Sequence, residues 1–271
     1  MDELEDESVQ LIITSPPYYE LRDYGLDDEI GKEDSLEDYL DRIMVVMREC
    51  HRVLRDDGTF FVVMGDKWNN GSLMMHQHRL AIRMTDELGF KLRNNLIWQK
   101  SNPKPESVKN RFMHGHEDIF FFSKSNNYQI DLDVLRVPYK EPHIKLSLAP
   151  KHHLRNDTDT IHFNTANIKD GRGKIPNDFD WQTTIIEQQR NEAPPYDNEI
   201  AHNAAFPYDL INRFTLACLK QGQIGLDPFC GSGTSLLSFI DAGGYGVGYE
   251  TQKQYVTLAQ NRLKKSQKIR A

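Results

Sequence analysis

Cysteine is scarce in this chain: Cys50, Cys218 and Cys230 are the only three in 271 residues, and none stands two residues from another. Neither a disulfide framework nor a cysteine zinc site is suggested, and Cys50 and Cys230 are expected to pack as small apolar groups. No apolar run approaches the length that spans a bilayer. The first ten residues, MDELEDESVQ, are acidic and lack the basic and apolar regions of a secretion signal, so a cytoplasmic protein is expected. Internal repeats and low-complexity tracts are absent as well. A length of 271 residues fits one elaborated domain, or a domain with a large insertion.

Basic residues are also in deficit, with a formal net charge of −7, which at first argues against a nucleic-acid partner. The distribution reverses that impression. Residues 91–174 carry fifteen Lys and Arg against nine Asp and Glu, together with six His. Phosphates respond to such local charge within a Debye length.

Residues 9–14 read as a short buried strand that Pro16-Pro17 must stop, because proline cannot donate to a ladder. From Leu36 to Leu54 apolar residues recur at helical spacing, closed by Arg55-Asp56-Asp57-Gly58. TFFVVMG (59–65) is a second strand, Leu73–Leu88 a helix ended by Gly89, and 91–99 and 117–123 two further strands. Periodicity fades from about Ser125 to Pro195, the mark of an insertion. It returns with a helix over 207–220, a strand over 225–227, a helix over 234–242, a strand over 246–249 and a helix from 252 to about 265. Alternating strands and helices imply an α/β fold with a mostly parallel sheet covered on both faces.

The run GLDPFCGSGTSLLSFIDAGGYGVGYE (225–250) is the most informative. A strand ends at Asp227, Gly231 and Gly233 let the backbone pass close to a ligand, and a helix follows. The next strand ends in Glu250, where a carboxylate can accept hydrogen bonds from ribose hydroxyls. No lysine follows the glycines, so this is no phosphate-gripping P-loop, and Leu236 fills the third position of a dinucleotide fingerprint. Asp227-Pro228-Phe229 suits a nucleoside cofactor with an amino-acid portion and no phosphate, a description that S-adenosylmethionine (AdoMet) fits.

TSPPY (14–18) together with DPFCGSGTS (227–235) resembles the amino-DNA methyltransferases, which methylate the exocyclic nitrogens of cytosine or adenine. The catalytic motif precedes the AdoMet motif, with a target-recognition region between them, and this order is similar to the family's beta arrangement. RVLRDDGTFFVVMGD (52–66), WQKSNPKPESVKNRFMHGHEDIFFFSK (98–124) and AAFPYDLINRF (204–214) extend the likeness over most of the chain outside about 125–195.

The resemblance implies a Rossmann-like AdoMet-dependent methyltransferase sheet divided into a catalytic half (1–124), an inserted target-recognition region (125–195) and an AdoMet-binding half (196–271). It implies that the Ser15 side chain and the Pro16 carbonyl accept hydrogen bonds from the target amine, with Pro17 fixing their direction. Tyr18 would stack on a base flipped out of the duplex. Cofactor contacts are expected from Phe206, Pro207, Asp227, Pro228, Phe229, Gly231, Ser232, Gly233, Thr234 and Glu250. Serine at the first motif position goes more often with N4-cytosine than with N6-adenine enzymes. A carbon-5 cytosine enzyme is disfavoured, because the chain has no Pro-Cys pair to supply its nucleophile. A catalytically weak DNA-binding relative is the alternative of another class.

Double-stranded DNA is the expected partner, with a restriction-modification setting and its cognate endonuclease. The candidate contacts are Lys100, Asn102, Lys104, Ser107, Lys109 and Arg111 in the loop beside the pocket, and Lys140, Lys145, Arg155, Arg172 and Lys174 in the insertion. Arg22 is balanced between a phosphate contact and a tie within its own loop. His114, His116 and Glu117 look like a metal pair only superficially, since methyl transfer needs none, and no metal is expected. Beta-arranged relatives begin with a strand carrying Gly-Asp ahead of SPPY, and here Met1 falls after that point. The expectation is either a truncated chain or a sheet built without that strand, its adenine side left open or covered by another element, with weakened AdoMet binding that calorimetry would register.

Overall fold

The computed structural model describes residues 1–20, 29–100, 107–136 and 206–270. Strand β1 (Val9–Thr14) is buried along its whole length, as the Leu11-Ile12-Ile13 run demands for a central parallel strand. Helix α1 (Leu36–Val53) starts at Ser35, whose hydroxyl accepts the Asp38 N–H, and it places Glu37 and Asp38 in the first turn and His51 and Arg52 in the last. Both choices favour the helix, one by capping an orphan donor and the other by complementing the macrodipole. Strand β2 (Leu54–Met64) follows without a loop. A short hairpin, β3 (Trp68–Asn69) and β4 (Ser72–Leu73), leads to α2 (His76–Leu88), then β5 (Lys91–Gln99) and β6 (His116–Ser123). Further along the chain come α3 (Tyr208–Cys218), β7 (Ile224–Asp227), α4 (Thr234–Asp241), β8 (Tyr245–Gly248) and α5 (Lys253–Arg270).

Six of the described strands form one sheet in the order β5-β6-β2-β1-β7-β8, with β6 antiparallel to both its neighbours and the other pairings parallel. The sheet separates two apolar layers. On one face Ile12, Phe60, Val62, Phe120 and Phe122 meet Tyr39, Ile43, Met44 and Met47 of α1 and Leu80 and Met84 of α2. On the other, Leu11, Ile13, Phe61, Val63 and Phe121 meet Leu210, Ile211 and Phe214 of α3 and Leu236 and Phe239 of α4. Each of these fully buried side chains contributes roughly 1.5–3 kcal/mol relative to exposure. The mostly parallel sheet with helices on both faces is the architecture expected from the sequence, and no described helix is long and apolar enough to cross a membrane.

Three local expectations are corrected. Arg55-Asp56-Asp57-Gly58 does not separate helix from strand. It is an irregularity inside β2, where pairing with β1 jumps from Val9↔Leu54 to Leu11↔Thr59. The helix expected from Leu73 begins at His76, because Asn70 (φ 47°) and Gly71 (φ 79°) turn a hairpin that takes up Ser72 and Leu73. Finally, residues 125–136 continue the core: the Gln129 N–H donates to the Asp57 carbonyl, the Asp131 N–H to the Ala217 carbonyl, and Tyr128, Ile130 and Leu135 pack on the second layer.

Candidate active site

From β1 the chain lays β2 beside it, then β5 at the edge and β6 in the space between, and returns to lay β7 and β8 on the other side. The order therefore reverses between β1 and β7, and ligands of open α/β sheets bind in the crevice at the carboxyl ends of strands flanking such a point. Ser15-Pro16-Pro17-Tyr18 leaves the end of β1, and Asp227-Pro228-Phe229 leaves the end of β7. The two sequence motifs, over two hundred residues apart, thus open onto one crevice.

Asp227 joins them. Its fully buried carboxylate accepts from the Thr14 hydroxyl at 2.7 Å, the last residue of β1, from the Ser235 hydroxyl of α4, and from the Phe229 N–H at 3.0 Å. Burial pushes its carboxyl up to about 6 despite these three donors. Both oxygens are engaged in holding β1, the glycine turn and α4 together, so Asp227 shapes the crevice from beneath.

The glycine turn is built the same way. Gly231 and Gly233 have φ of 48° and 80°, and a Cβ on Gly233 would lie 2.9 Å from that of Ala259 on α5. A side chain there is excluded twice over, by conformation and by space. The buried Arg262 of α5 reaches back to donate to the Ser232 carbonyl (2.8 Å), the Ser232 hydroxyl (2.9 Å) and the Thr234 hydroxyl (3.0 Å). The polar atoms of Ser232 and Thr234 therefore face the protein, and the turn's backbone is what remains for a ligand. Half-buried Glu250 follows β8; one carboxylate oxygen caps the Gln252 N–H at 2.8 Å, and the other has no partner among the described residues. Pro228 is buried, Phe229 half-buried against the first apolar layer, Phe206 half-buried against the second, and Pro207 caps α3. Arg262→Ala is expected to cost about 3 kcal/mol, since its three contacts share one nitrogen and a charge-assisted hydrogen bond contributes roughly 1.5–3 kcal/mol. The same variant should raise the AdoMet Kd at least tenfold by calorimetry while sparing DNA affinity.

Around the proline loop every support comes from a different element. The Tyr39 hydroxyl of α1 donates to the Pro17 carbonyl at 2.8 Å, and the Glu20 N–H donates to the Gly31 carbonyl at 2.7 Å. Pro16 is buried, and no donor meets its carbonyl among the described residues. The half-buried Tyr18 donates its hydroxyl to Glu117 Oε2 at 3.2 Å, with Ser15 and the Gly65 backbone beside it. Burial first, and then the Glu117 charge, hold the Tyr18 phenol well above its ordinary range, so it is a neutral donor. Glu117 Oε1 meanwhile pairs with Lys100 Nζ at 2.9 Å, and that ammonium lies 3.1 Å from the Trp98 ring centroid. Behind Tyr18 the buried His76 ring stands 6.2 Å away at 56°, its pKa lowered by burial, with Asp66 Oδ1 3.4 Å from Nδ1. The aromatic face of Tyr18 is thereby set by its edge.

Of the expected DNA contacts, Ser107 and Lys109 are exposed, and the Arg111 guanidinium lies over the Trp68 ring at 4.1 Å. Lys100 is turned inward onto Glu117 and Trp98. Arg22, Asn102, Lys104, Lys140, Lys145, Arg155, Arg172 and Lys174 lie outside the described residues. His114 and His116 stack at 4.4 Å, and among the described residues no group of three or more His, Cys, Asp and Glu is arranged to hold a metal. Burial pushes the Cys218 and Cys230 thiols up to about 12 and that of Cys50 up as well, so all three are protonated groups with no reactive character. Sequence reading missed Thr14, Tyr39, Ser235 and Arg262, and it considered Glu117 only as a metal ligand.

On the cofactor flank the described sheet ends at β8, and the N-terminal segment lies against it. The Tyr249 hydroxyl donates to Glu3 Oε1 at 2.5 Å, and Met1 and Leu4 pack on the layer that includes Phe229, Val247 and Tyr249. Arg52 fixes this segment by donating to the carbonyls of Met1 (3.0 Å) and Leu4 (3.1 Å) and to Asp6 (2.6 Å).

Residues 9–261 match the DNA methylase family of the N6/N4 type. Among curated relatives, the type II methyltransferase M.XycI of Xanthomonas campestris pv. cyanopsidis is 32% identical over an alignment covering 94% of this chain and 81% of its own. M.Cfr9I of Citrobacter freundii, also a type II methyltransferase, is 31% identical with the same coverage. Among solved structures, the cytosine-N4-specific PvuII DNA methyltransferase superposes with a TM-score of 0.65 at 21% identity, covering 96% of this chain and 81% of that one. TTHA0409 of Thermus thermophilus, a putative DNA modification methylase solved with S-adenosyl-L-methionine, gives 0.58 at 22% identity, covering 98% and 89%.

Proposed function

As this chain belongs to the N6/N4 family of DNA methylases, we propose that it transfers the methyl group of AdoMet to the exocyclic N4 of a cytosine extruded from double-stranded DNA. The observation that carries this reading is the Asp227–Thr14 bond, which sets the proline loop and the glycine turn side by side at the reversal of strand order. The donor and acceptor set fits the cofactor. Glu250 retains a carboxylate oxygen for a ribose hydroxyl, Phe229 and Val247 offer apolar surface for an adenine, and the turn has no lysine for a phosphate. Solution of TTHA0409 with AdoMet and the cytosine-N4 specificity of the PvuII enzyme support the same choices.

When bound, AdoMet supplies an electrophilic methyl on a sulfonium. The chain's own residues prepare the nucleophile. An exocyclic amine has its lone pair delocalised into the ring, and hydrogen-bond acceptors on its two N–H groups favour the pyramidal nitrogen that frees it. The Ser15 hydroxyl oxygen and the Pro16 carbonyl occupy that role at the end of β1, held there before substrate arrives by the Tyr39 bond to Pro17. The glycine turn and Glu250 would hold the methyl donor against this nitrogen, and the proton that the methylated amine gives up would pass along the Ser15 and Pro16 acceptors to solvent. Tyr18 presents its ring to the extruded base, and stacking of that kind is worth roughly 1–3 kcal/mol per base. Residues 137–195 supply sequence recognition, and the likeness to type II methyltransferases supports a cognate restriction endonuclease reading the same site.

The test is product identity. Incubation with AdoMet and unmethylated genomic DNA, digestion to nucleosides and mass spectrometry is expected to yield N4-methyl-2′-deoxycytidine. N6-methyl-2′-deoxyadenosine would overturn the base assignment and leave the family and the site in place.

A further inference from the structure

Phe112 is 97% exposed, the most exposed of the large apolar side chains among the described residues, and Met113 beside it is 49% exposed. A lone exposed apolar residue is ordinary on a protein surface. The place of this one is not. It lies four residues before β6, and since β6 begins at the same edge as Ser15–Tyr18, Phe112 stands at the rim of the crevice. Glu117, which holds the Tyr18 hydroxyl, is five residues further along.

The described part of the segment joining β5 to β6, residues 107–115, is held by neighbouring elements. At its base Gln99 pairs with His116, and the Lys100 N–H donates to the Gly115 carbonyl at 2.9 Å. At its shoulder Arg111 lies over Trp68 and donates to the carbonyl of Phe112 itself at 3.2 Å. A rigid aromatic ring is thus kept in water between a braced Arg111 and a braced Gly115, with exposed Lys109 and the Arg111 guanidinium next to it, charges that complement phosphate.

Extruding a base leaves a gap in the duplex stack and forfeits its stacking energy, a loss that apolar side chains inserted between base steps offset. We propose that Phe112 enters the duplex in place of the extruded base. This rests on the base-extruding reading above. Phe112 acts on the gap and not on the reacting atoms, so its contribution is felt only where a base pair must be opened.

The experiment measures kcat/KM for methyl transfer by the wild type and Phe112→Ala on two duplexes, one with the target base paired and one with it opposite an abasic site, where no base pair has to be broken. Phe112→Ala is expected to lose tenfold to a hundredfold on the paired target and to come within threefold of the wild type opposite the abasic site. Phe112→Trp should keep activity on both. An alanine variant matching the wild type on the paired duplex overturns the proposal, and so does an equal loss on both duplexes, which marks a general binding or folding defect. Failure of the wild type on both duplexes strikes the underlying reading instead, and is seen without any variant.

Discussion

Tyr18→Ala is expected to lower kcat by about a hundredfold while duplex affinity changes only a few-fold. Stacking worth roughly 1–3 kcal/mol per base converts to a factor of about 5 to 150 in rate if it is exerted on the extruded, reactive state. The loss falls toward the upper end because the truncation also takes the donor away from Glu117 Oε2 and leaves the Glu117–Lys100 pair facing an empty crevice. Tyr18→Phe separates the contributions: it keeps the ring, loses the 3.2 Å bond to Glu117, and is expected to lose less than tenfold. Ser15→Ala removes an acceptor from the amine itself and should cost on the order of 10²–10³ in kcat, the usual scale for one preorganised group at a site of developing charge. Single-turnover methylation of a saturating duplex reads all three. Full activity in Tyr18→Ala would contradict the stacking role outright.

The second large effect concerns Asp227. Removing its side chain by Asp227→Ala deprives two hydroxyls and a backbone N–H of their acceptor. The expected cost is on the order of 3 kcal/mol or more, because buried polar groups left without partners lose about 1–3 kcal/mol each. For a chain of this length that lowers Tm by roughly 6–12 °C, and AdoMet affinity should fall at least tenfold. Asp227→Asn behaves differently, since its amide oxygen still accepts from Phe229 and its amide nitrogen can donate to Ser235. The wild-type carboxyl, raised to about 6 in the fold, lies above the ~3.9 of an exposed aspartate, so folding favours its protonated form. Its contribution to stability is present below about pH 4 and disappears as pH rises through about 6. Urea unfolding from pH 4 to 7.5 is therefore expected to show a wild-type loss on the order of 3 kcal/mol from this group, absent in Asp227→Asn. Parallel pH profiles would contradict the assignment of the shift to this carboxyl.

Much of the fold was legible because its signals are local. Leu11-Ile12-Ile13 followed by two prolines leaves a central parallel strand little alternative, and the Tyr39, Ile43, Met47 and Cys50 spacing writes the face of α1 directly. The two motifs were legible for the same reason, each being a strand end whose loop composition has a chemical explanation. What escaped reading was long-range or conflicting. Asn70-Gly71 is a hairpin signal in plain view, overridden in the reading by the apolar spacing beyond it. Arg262 looks like one more charge on a polar helix, and only its packing under the glycine turn reveals three hydrogen bonds. Glu117 drew attention as part of a histidine cluster, whereas its partners, Tyr18 and Lys100, come from the loop after β1 and the end of β5. Lys100 shows the converse: a lysine in a basic loop reads as a phosphate contact until a carboxylate and an indole are found around it.

The proline loop and the glycine turn form a single proposed methyl-transfer site across the Asp227–Thr14 bond. A crystal structure of this protein soaked with AdoMet tests it most directly. The ribose is expected on Glu250, the amino-acid portion along the turn of Gly231–Gly233, and the sulfonium methyl directed toward the space beside Ser15, Pro16 and Tyr18. AdoMet bound elsewhere, or with its methyl turned away from that loop, would contradict it.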